Sequence, residues 1–125
     1  MSIFLRITRH PVFPTAEEWL HDKFGVDLVV ENKNIVFGED PVGAVVELIK
    51  EFGDVVAIEV VAQLPTIARL LEAKREITVP ILRAEYKRDS TGRVIVAGTD
   101  ESGRGILVFD RYVRLLRVSI ETAEL

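Results

Sequence analysis

The sequence predicts an α/β fold in which a mostly parallel sheet carries helices on both faces and ends in a C-terminal antiparallel β extension. An apolar first strand, Ile3 to Thr8, runs into a helix start, which is how a doubly wound domain opens. Up to residue 87, three amphipathic helical segments alternate with four strand-like runs. The third run, Val55 to Ala62, is nearly all apolar, as expected of a central parallel strand that is covered on both faces.

Length and composition bound the organisation. A chain of 125 residues indicates one domain, 1–125, with an α/β core over 1–87 and a β extension over 88–125. The net charge of −4 gives no general basic field, so duplex nucleic acid and anionic membranes are not expected partners. The absence of cysteine excludes disulfides and thiolate metal sites, and no apolar run approaches the ~18 residues of a membrane span. We therefore expect a cytoplasmic protein.

Helix signals mark three positions. Thr15 and Glu18 have capping-box spacing, which predicts a first helix capped by Thr15 and ended by Gly25. Asp40 followed by Pro41 is a cap with proline at the first helical position, and this second helix should end at Gly53. The third helix is expected to start near Pro65.

The remaining strands are shorter or less regular. Val26 to Val30 is the second strand, Ile35 to Phe37 is an apolar piece that could form another, and Val79 to Lys87 is the fourth. After Pro80 the fourth strand alternates, which predicts that one face is not covered by a helix. Turns at Asp89–Arg93 and Asp100–Gly105 flank two further runs, Val94–Ala97 and Ile106–Phe109, and predict a hairpin on the sheet edge.

The tail allows two interpretations. Asp110 could cap a helix on which Arg111, Arg114 and Arg117 recur every three residues, whereas the β-branched residues beyond Arg117 favour a strand. We favour a strand with a bulge near Leu115–Leu116. The arginine series is most simply a solvated face, and contact with RNA or an acidic protein is the less favoured alternative.

The candidate site combines two strand ends. Ligands of open parallel sheets bind outside the carboxyl ends of the strands, where the strand order switches. The first strand ends in Thr8-Arg9-His10 and the third is followed by Gln63-Leu64-Pro65-Thr66. If these strands are neighbours, as in flavodoxin-like order, both loops face one crevice.

The residue types at these loops suit a phosphate. Arg9 can hold a phosphate with its planar fork of donors, and His10 can donate a hydrogen bond or carry a proton at neutral pH. Gln63 and Thr66 add neutral donors, and the following helix start adds free N–H groups. The alternative is structural, with Arg9 on the surface and His10 bonded to a loop carbonyl.

Other chemistry is not indicated. The Gly38–Gly43 segment lacks the lysine and hydroxyl residue that end a phosphate-binding loop, and two histidines without cysteine form no metal pattern, so we assign no metal and no cofactor. Glu59 interrupts the third strand. It either pairs with Arg83 or Lys87 on the less-covered face, which we favour, or marks a subunit contact.

Three landmarks in order suggest a family. Arg9-His10-Pro11, then Glu18-Trp19-Leu20, then Gln63-Leu64-Pro65 after an apolar strand resemble the small CRISPR-associated proteins of type III systems, the Csx group, some of which act as ring nucleases. The resemblance covers roughly residues 3–87 and implies a Rossmann-like, flavodoxin/CARF-like fold.

The resemblance also implies a function. The expected ligand is a cyclic oligoadenylate, with cyclic tetra-adenylate as the expected ring, held in the crevice of a homodimer by Thr8, Arg9, His10, Gln63, Leu64, Pro65 and Thr66. Cleavage would be metal-independent, with His10 and Arg9 as catalytic residues, and would switch off a type III antiviral response. Two alternatives stay open: a binding module that sequesters or senses the nucleotide without cleaving it, and an interaction subunit in which Arg9 and His10 are structural.

Overall fold

A five-stranded sheet forms the centre of the computed structural model, which describes residues 1–8, 13–32, 37–119 and 123–124. In chain order the elements are β1 (Ile3–Ile7), α1 (Pro14–Phe24), β2 (Leu28–Asn32), α2 (Pro41–Phe52), β3 (Val55–Val60), α3 (Leu64–Glu72), β4 (Ile81–Tyr86), β5 (Val96–Thr99), β6 (Gly105–Leu107) and β7 (Phe109–Arg114). The sheet order is β2-β1-β3-β4-β7, and β5 pairs with β6 in a separate two-stranded sheet. The first four strands of the large sheet are parallel, and β7 lies antiparallel to β4. The predicted mixed α/β architecture with a mostly parallel sheet is confirmed. The first and third strands are neighbours, which is the condition that the candidate site required.

The two faces of the large sheet carry separate apolar clusters. Alternate residues of β1 point to opposite sides: Leu5 packs with α2 and α3, and Phe4 packs with α1. Helices therefore cover both faces of β1. At β4 one face of the sheet is open to solvent. The side chain of Arg83 is largely exposed on this face and lies 3.5 Å from Glu85. This confirms the face that the alternation of the fourth strand predicted to be uncovered.

The first two helices begin differently. Asp40 caps α2 as predicted: its Oδ1 accepts a hydrogen bond from the Gly43 N–H at 3.0 Å, and Pro41 follows as the first helical residue. In α1, by contrast, Pro14 takes the first helical position and Phe13 is the capping residue, without a side-chain cap bond. The prediction that Thr15 caps this helix is wrong, because a proline that needs no N–H partner starts the helix two residues earlier, with Phe13 in place of Thr15 as the capping residue.

The C-terminal region departs further from expectation. The hairpin of β5 and β6 does not join the edge of the large sheet, which is formed by β7 instead. The tail is a strand over Phe109–Arg114, but its register shift lies beside Asp110, opposite the Glu85–Tyr86 step. The expected bulge at Leu115–Leu116 is wrong, since these residues follow the end of the strand. The second strand starts at Leu28 rather than Val26, and Ile35 and Val36 lie outside the described residues.

In the described part of the chain, no helix has both the length and the apolar character needed to cross a membrane.

The capping difference can be tested by paired substitutions. Asp40→Ala should lower the free energy of unfolding by about 1 kcal/mol, because it removes the cap of α2. Thr15→Ala should change it by less than ~0.5 kcal/mol, because Thr15 is an exposed helical residue. Urea denaturation of both variants checks this, and equal losses would contradict the assigned helix starts.

Candidate functional site

The carboxyl ends of β1 and β3 form one edge from which two loops leave side by side. Arg6 lies opposite Glu59 and Ile7 lies opposite Val60 in the parallel register. One residue further, the Val61 N–H donates to the Ile7 carbonyl at 3.1 Å. The chain after β3 therefore starts beside the chain after β1. We call this border of the large sheet, at the ends of β1, β2, β3 and β4, the carboxyl edge.

The residues predicted to bind a ligand fall into three groups. Thr8 directly follows β1 and is buried. Arg9 and His10 lie outside the described residues, so their predicted roles stay predictions. The third group, Gln63, Leu64, Pro65 and Thr66, forms the start of α3, where the first three are exposed and Thr66 is half-buried.

The start of α3 offers unused donors. Gln63 precedes the helix in an extended conformation, with φ −65° and ψ 151°, and its side chain makes no cap bond. Its carbonyl already accepts from the Ile67 N–H at 3.1 Å, which fixes the first turn. Pro65 has no N–H group, so the free backbone donors of this turn are those of Leu64 and Thr66. These donors and the positive end of the helix dipole favour an anion at the carboxyl edge.

A buried ion cluster underlies the same edge. Arg6 lies in a row with Glu31 of β2 and Glu59 of β3, its register partners on either side. Its Nε donates to Glu59 Oε1 at 2.8 Å and its Nη1 donates to Glu31 Oε1 at 2.9 Å. Arg6 and Glu59 are buried, whereas the Glu31 side chain is about a quarter exposed at 26%. The guanidinium of Arg6 is thus paired with carboxylates of both neighbouring strands, two residues before Thr8.

Tyr112 completes the cluster from β7. Its hydroxyl donates to Glu59 Oε1 at 2.8 Å. The ring reaches across β4 at the level of Ala84, its register partner, and packs on Phe4 with ring centroids 5.2 Å apart. Trp19 of α1 lies over it, with a centroid distance of 5.8 Å. The aromatic cover removes water from the ion pair, and low local polarity strengthens its hydrogen bonds.

The protonation states of the cluster follow from its burial. Burial is the largest single effect on Arg6 and opposes its charge, but the polar neighbours together, with the hydrogen bond and charge of Glu59 first and the charge of Glu31 adding to them, outweigh it and raise the pKa of the guanidinium. Burial, followed by the charge of Glu59 and the hydrogen bond to it, raises the pKa of Tyr112 far above its usual value. Burial also raises the pKa of Tyr86, and the charge of Glu59 adds to this shift. Arg6 therefore stays a cation and both phenols stay protonated, so that Tyr112 keeps the proton that it donates to Glu59. This suits a structural support better than a proton carrier.

This cluster corrects the expectation for Glu59. Its carboxylate pairs with Arg6 and Tyr112, and Arg83 lies with Glu85 instead. The prediction overlooked Arg6 because it stood inside an apolar strand. The available signal was that Arg6 and Glu59 are single opposite charges in two strands predicted to be neighbours, each among residues that are otherwise buried. Tyr112 gave no such signal, since its reach across β4 depends on the sheet order.

Among the residues that the structure describes, no three His, Cys, Asp or Glu side chains cluster closely enough to hold a metal ion.

The arginine series lies outside the carboxyl edge. Arg111 is exposed and lies 3.4 Å from Glu85, while Arg114 and Arg117 are also exposed. The three arginines are thus solvated, as predicted, but they do not share a face, because Arg111 and Arg114 are three residues apart in β7 and Arg117 follows its end.

Comparison with known proteins finds no relative: no family model, no curated protein and no solved structure matches this chain.

The ion cluster can be tested by two matched Glu→Gln substitutions. Glu59→Gln leaves the buried guanidinium without its nearest charge, and should lower the free energy of unfolding by about 3 kcal/mol or more. Glu85→Gln breaks the exposed contacts to Arg83 and Arg111 and should cost less than about 1 kcal/mol. Chemical denaturation at neutral pH measures both. Equal losses in the free energy of unfolding would show that the buried ion pair stabilises the fold no more than the exposed contacts do.

Proposed function

We propose that this protein binds a cyclic oligoadenylate, cyclic tetra-adenylate, at the carboxyl edge and that it cleaves this ring slowly. The observation that carries the proposal is the adjacency of β1 and β3, with the Val61 N–H bonded to the Ile7 carbonyl. This adjacency brings the chain that leaves β1 at Thr8 beside the chain that leads into α3. In the proposal, the side chains of Arg9 and His10 and the N-terminus of α3 bind one phosphate together.

Further features support this reading. The sheet order agrees with a Rossmann-like domain, in which such an edge binds the ligand. The start of α3 combines exposed polar and apolar groups, Gln63 for phosphate or ribose and Leu64 for a base. A ring ligand with repeated units suits a two-fold homodimer, because the dimer presents each contact twice. We propose that this complex acts in the cytoplasm to end a type III CRISPR response.

The proposed cleavage needs no metal. The ribose 2′-oxygen attacks the adjacent phosphorus, the bond from phosphorus to the 5′-oxygen breaks, and the proton of the 2′-hydroxyl is passed on to that leaving oxygen. The product is a linear chain with a 2′,3′-cyclic phosphate and a 5′-hydroxyl. In this scheme Arg9 stabilises the charge of the phosphorane, His10 moves the proton, and Gln63 and Thr66 hold the phosphate in line.

A second candidate function is binding without cleavage. The observation that favours it is the burial of the ion cluster. Arg6 and Tyr112 are bonded to Glu59 and do not serve as proton carriers, so that cleavage would depend on His10 alone. A sponge or sensor needs the same phosphate contacts and no proton carrier.

The test incubates pure protein with labelled cyclic tetra-adenylate in EDTA and follows both complex formation and product. Linear product supports cleavage, a tight complex without product supports the binding module, and neither would refute both. His10→Ala should slow cleavage roughly 10²-fold while affinity is largely retained. Arg9→Ala should weaken binding.

The matched control is the other histidine of the chain. His21 lies near the end of α1, and its Nδ1 is 3.2 Å from the Val26 carbonyl, away from the carboxyl edge. His21→Ala should therefore leave affinity and cleavage unchanged. An equal loss in the two histidine variants would remove His10 from the proposed mechanism.

A further inference from the structure

A cleft lies at the end of the large sheet opposite to the carboxyl edge. Strand β4 starts there at Ile81, and the antiparallel strand β7 ends there, where the Leu115 N–H donates to the Ile81 carbonyl at 2.9 Å. The cleft is bordered by the end of α3, the connection 73–80 and the segment 114–117, and it has a volume of about 810 Å³. Twelve residues line it. We call it the α3–β7 cleft.

The floor of the cleft is aliphatic. It includes Leu70, Leu71, Ile77 and Ile81, which are buried, and Leu115, which is half-buried and packs on the same core cluster. None of the twelve lining residues is aromatic. A nucleobase or another flat ring would gain from an aromatic partner on which to stack. An aliphatic floor therefore suits a hydrocarbon chain better than a ring.

Backbone hydrogen bonds hold the walls of the cleft in place. After α3, the N–H groups of Ala73 and Ile77 donate to the carbonyls of Leu70 and Ala73, at 3.3 and 2.9 Å. On the other side, the bond from Leu115 to Ile81 ties the chain after β7 to the start of β4. A ligand would meet a cleft that is already formed, so that binding would order little of the chain.

The polar part of the lining is cationic. Lys74, Arg114 and Arg117 line the cleft and are exposed, whereas no carboxylate lines it. Among the residues that the structure describes, none of these three cations takes part in an ion pair. In this they differ from Arg83 and Arg111, which both lie beside Glu85.

Nearby negative groups do not cancel this charge. The 72–76 stretch, Glu-Ala-Lys-Arg-Glu, carries two charges of each sign. The carbonyl end of α3 adds a partial negative charge of roughly half a unit at this end of the molecule. Glu124 neither lines the cleft nor forms an ion pair in the described part of the chain, and Glu121 lies outside the described residues. Arg114 and Arg117 thus leave a local excess of positive charge on a chain whose net charge is −4.

The size of the cleft indicates a small molecule. Its volume lies within the about 300–1,000 Å³ that is usual for ligand sites. A stable protein partner would contact roughly 20–30 residues, which is about twice the number that line the cleft.

We propose that the α3–β7 cleft binds an aliphatic chain that ends in an anionic group. The hydrocarbon lies on the floor of the cleft, and Arg114 and Arg117 hold the carboxylate or phosphate, with Lys74 as a further cation of the lining. This site lies at the opposite end of the sheet from the proposed nucleotide site, so that either can fail without the other.

Calorimetric titration of the full chain with decanoate, below its critical micelle concentration, tests the ligand class. One decanoate should bind per chain, and decan-1-ol, which has the same chain without the charge, should bind at least about tenfold more weakly. Decyl phosphate should also bind, and the tighter of the two anions identifies the preferred head group. No saturable binding of either anion, or equal binding of the alcohol, would overturn the inference.

Two matched pairs of arginine substitutions locate the anion. Arg114→Gln with Arg117→Gln should weaken decanoate binding at least about tenfold and leave binding of decan-1-ol unchanged. Arg93→Gln with Arg104→Gln removes the same charge from the connection between β4 and β7, which leaves the sheet at the carboxyl edge, and should have no effect. Equal losses of affinity in both pairs would reduce the binding to general charge attraction and refute the site.

A second copy of this chain is the competing occupant of the cleft. Leu116 lines the cleft and is 70% exposed, and its control is Leu64, which is 60% exposed at the carboxyl edge. Leu116→Ser should weaken decanoate binding about fivefold, whereas Leu64→Ser should leave it unchanged. Sedimentation without ligand should give the same oligomeric state for the unmodified chain and Leu116→Ser. Association that Leu116→Ser abolishes would show that a second copy covers the cleft and would overturn the inference.

Discussion

The charge of Arg6 is the constraint on which the carboxyl edge depends. A guanidinium keeps its proton under all ordinary conditions, so an arginine in a buried strand must be met by carboxylates. They come from the residues opposite it in both neighbouring strands, Glu31 and Glu59. A shift of any of these strands by one residue would turn its charge to the apolar face that packs against α2 and α3. The buried ion cluster therefore favours one register for three strands.

This register determines how the chain leaves the sheet. With Arg6 opposite Glu59, Ile7 and Val61 are close enough for a backbone hydrogen bond, and the loops after β1 and β3 start from a common point. Tyr112 extends the same support to the edge strand, so that β7 is tied to β3 across β4. The proposed phosphate site at the ends of β1 and β3 and the edge strand β7 are thus held by the same cluster.

Local signals predicted the parts of the fold that depend on local chemistry. Asp40-Pro41 identified a helix start correctly, because a cap and a proline act on their own helix. Thr15 was predicted wrongly as a cap, because Pro14 occupies the first helical position instead. The partner of Glu59 could not be found in this way, since the choice between Arg6, Arg83 and Lys87 is made by sheet order and side-chain direction. The β5–β6 hairpin was placed in the wrong sheet for the same reason, because its turns are local and its neighbours are not. For the candidate site, the sequence identified the two strand ends and made their adjacency a condition, which the sheet order meets, whereas the buried ion cluster beneath them was not predicted.

Amide hydrogen exchange tests the central claim most directly, because it reports the carboxyl edge separately from the rest of the core. In Glu59→Gln, the amides of Thr8 and Val61 should exchange faster than in the unmodified chain by a larger factor than the amide of Val45, which is buried in α2. In Glu85→Gln the three amides should keep their relative rates. If Glu59→Gln accelerated exchange of all three amides equally, or left the amides of Thr8 and Val61 unchanged, the buried ion cluster would not be what holds the ends of β1 and β3 together.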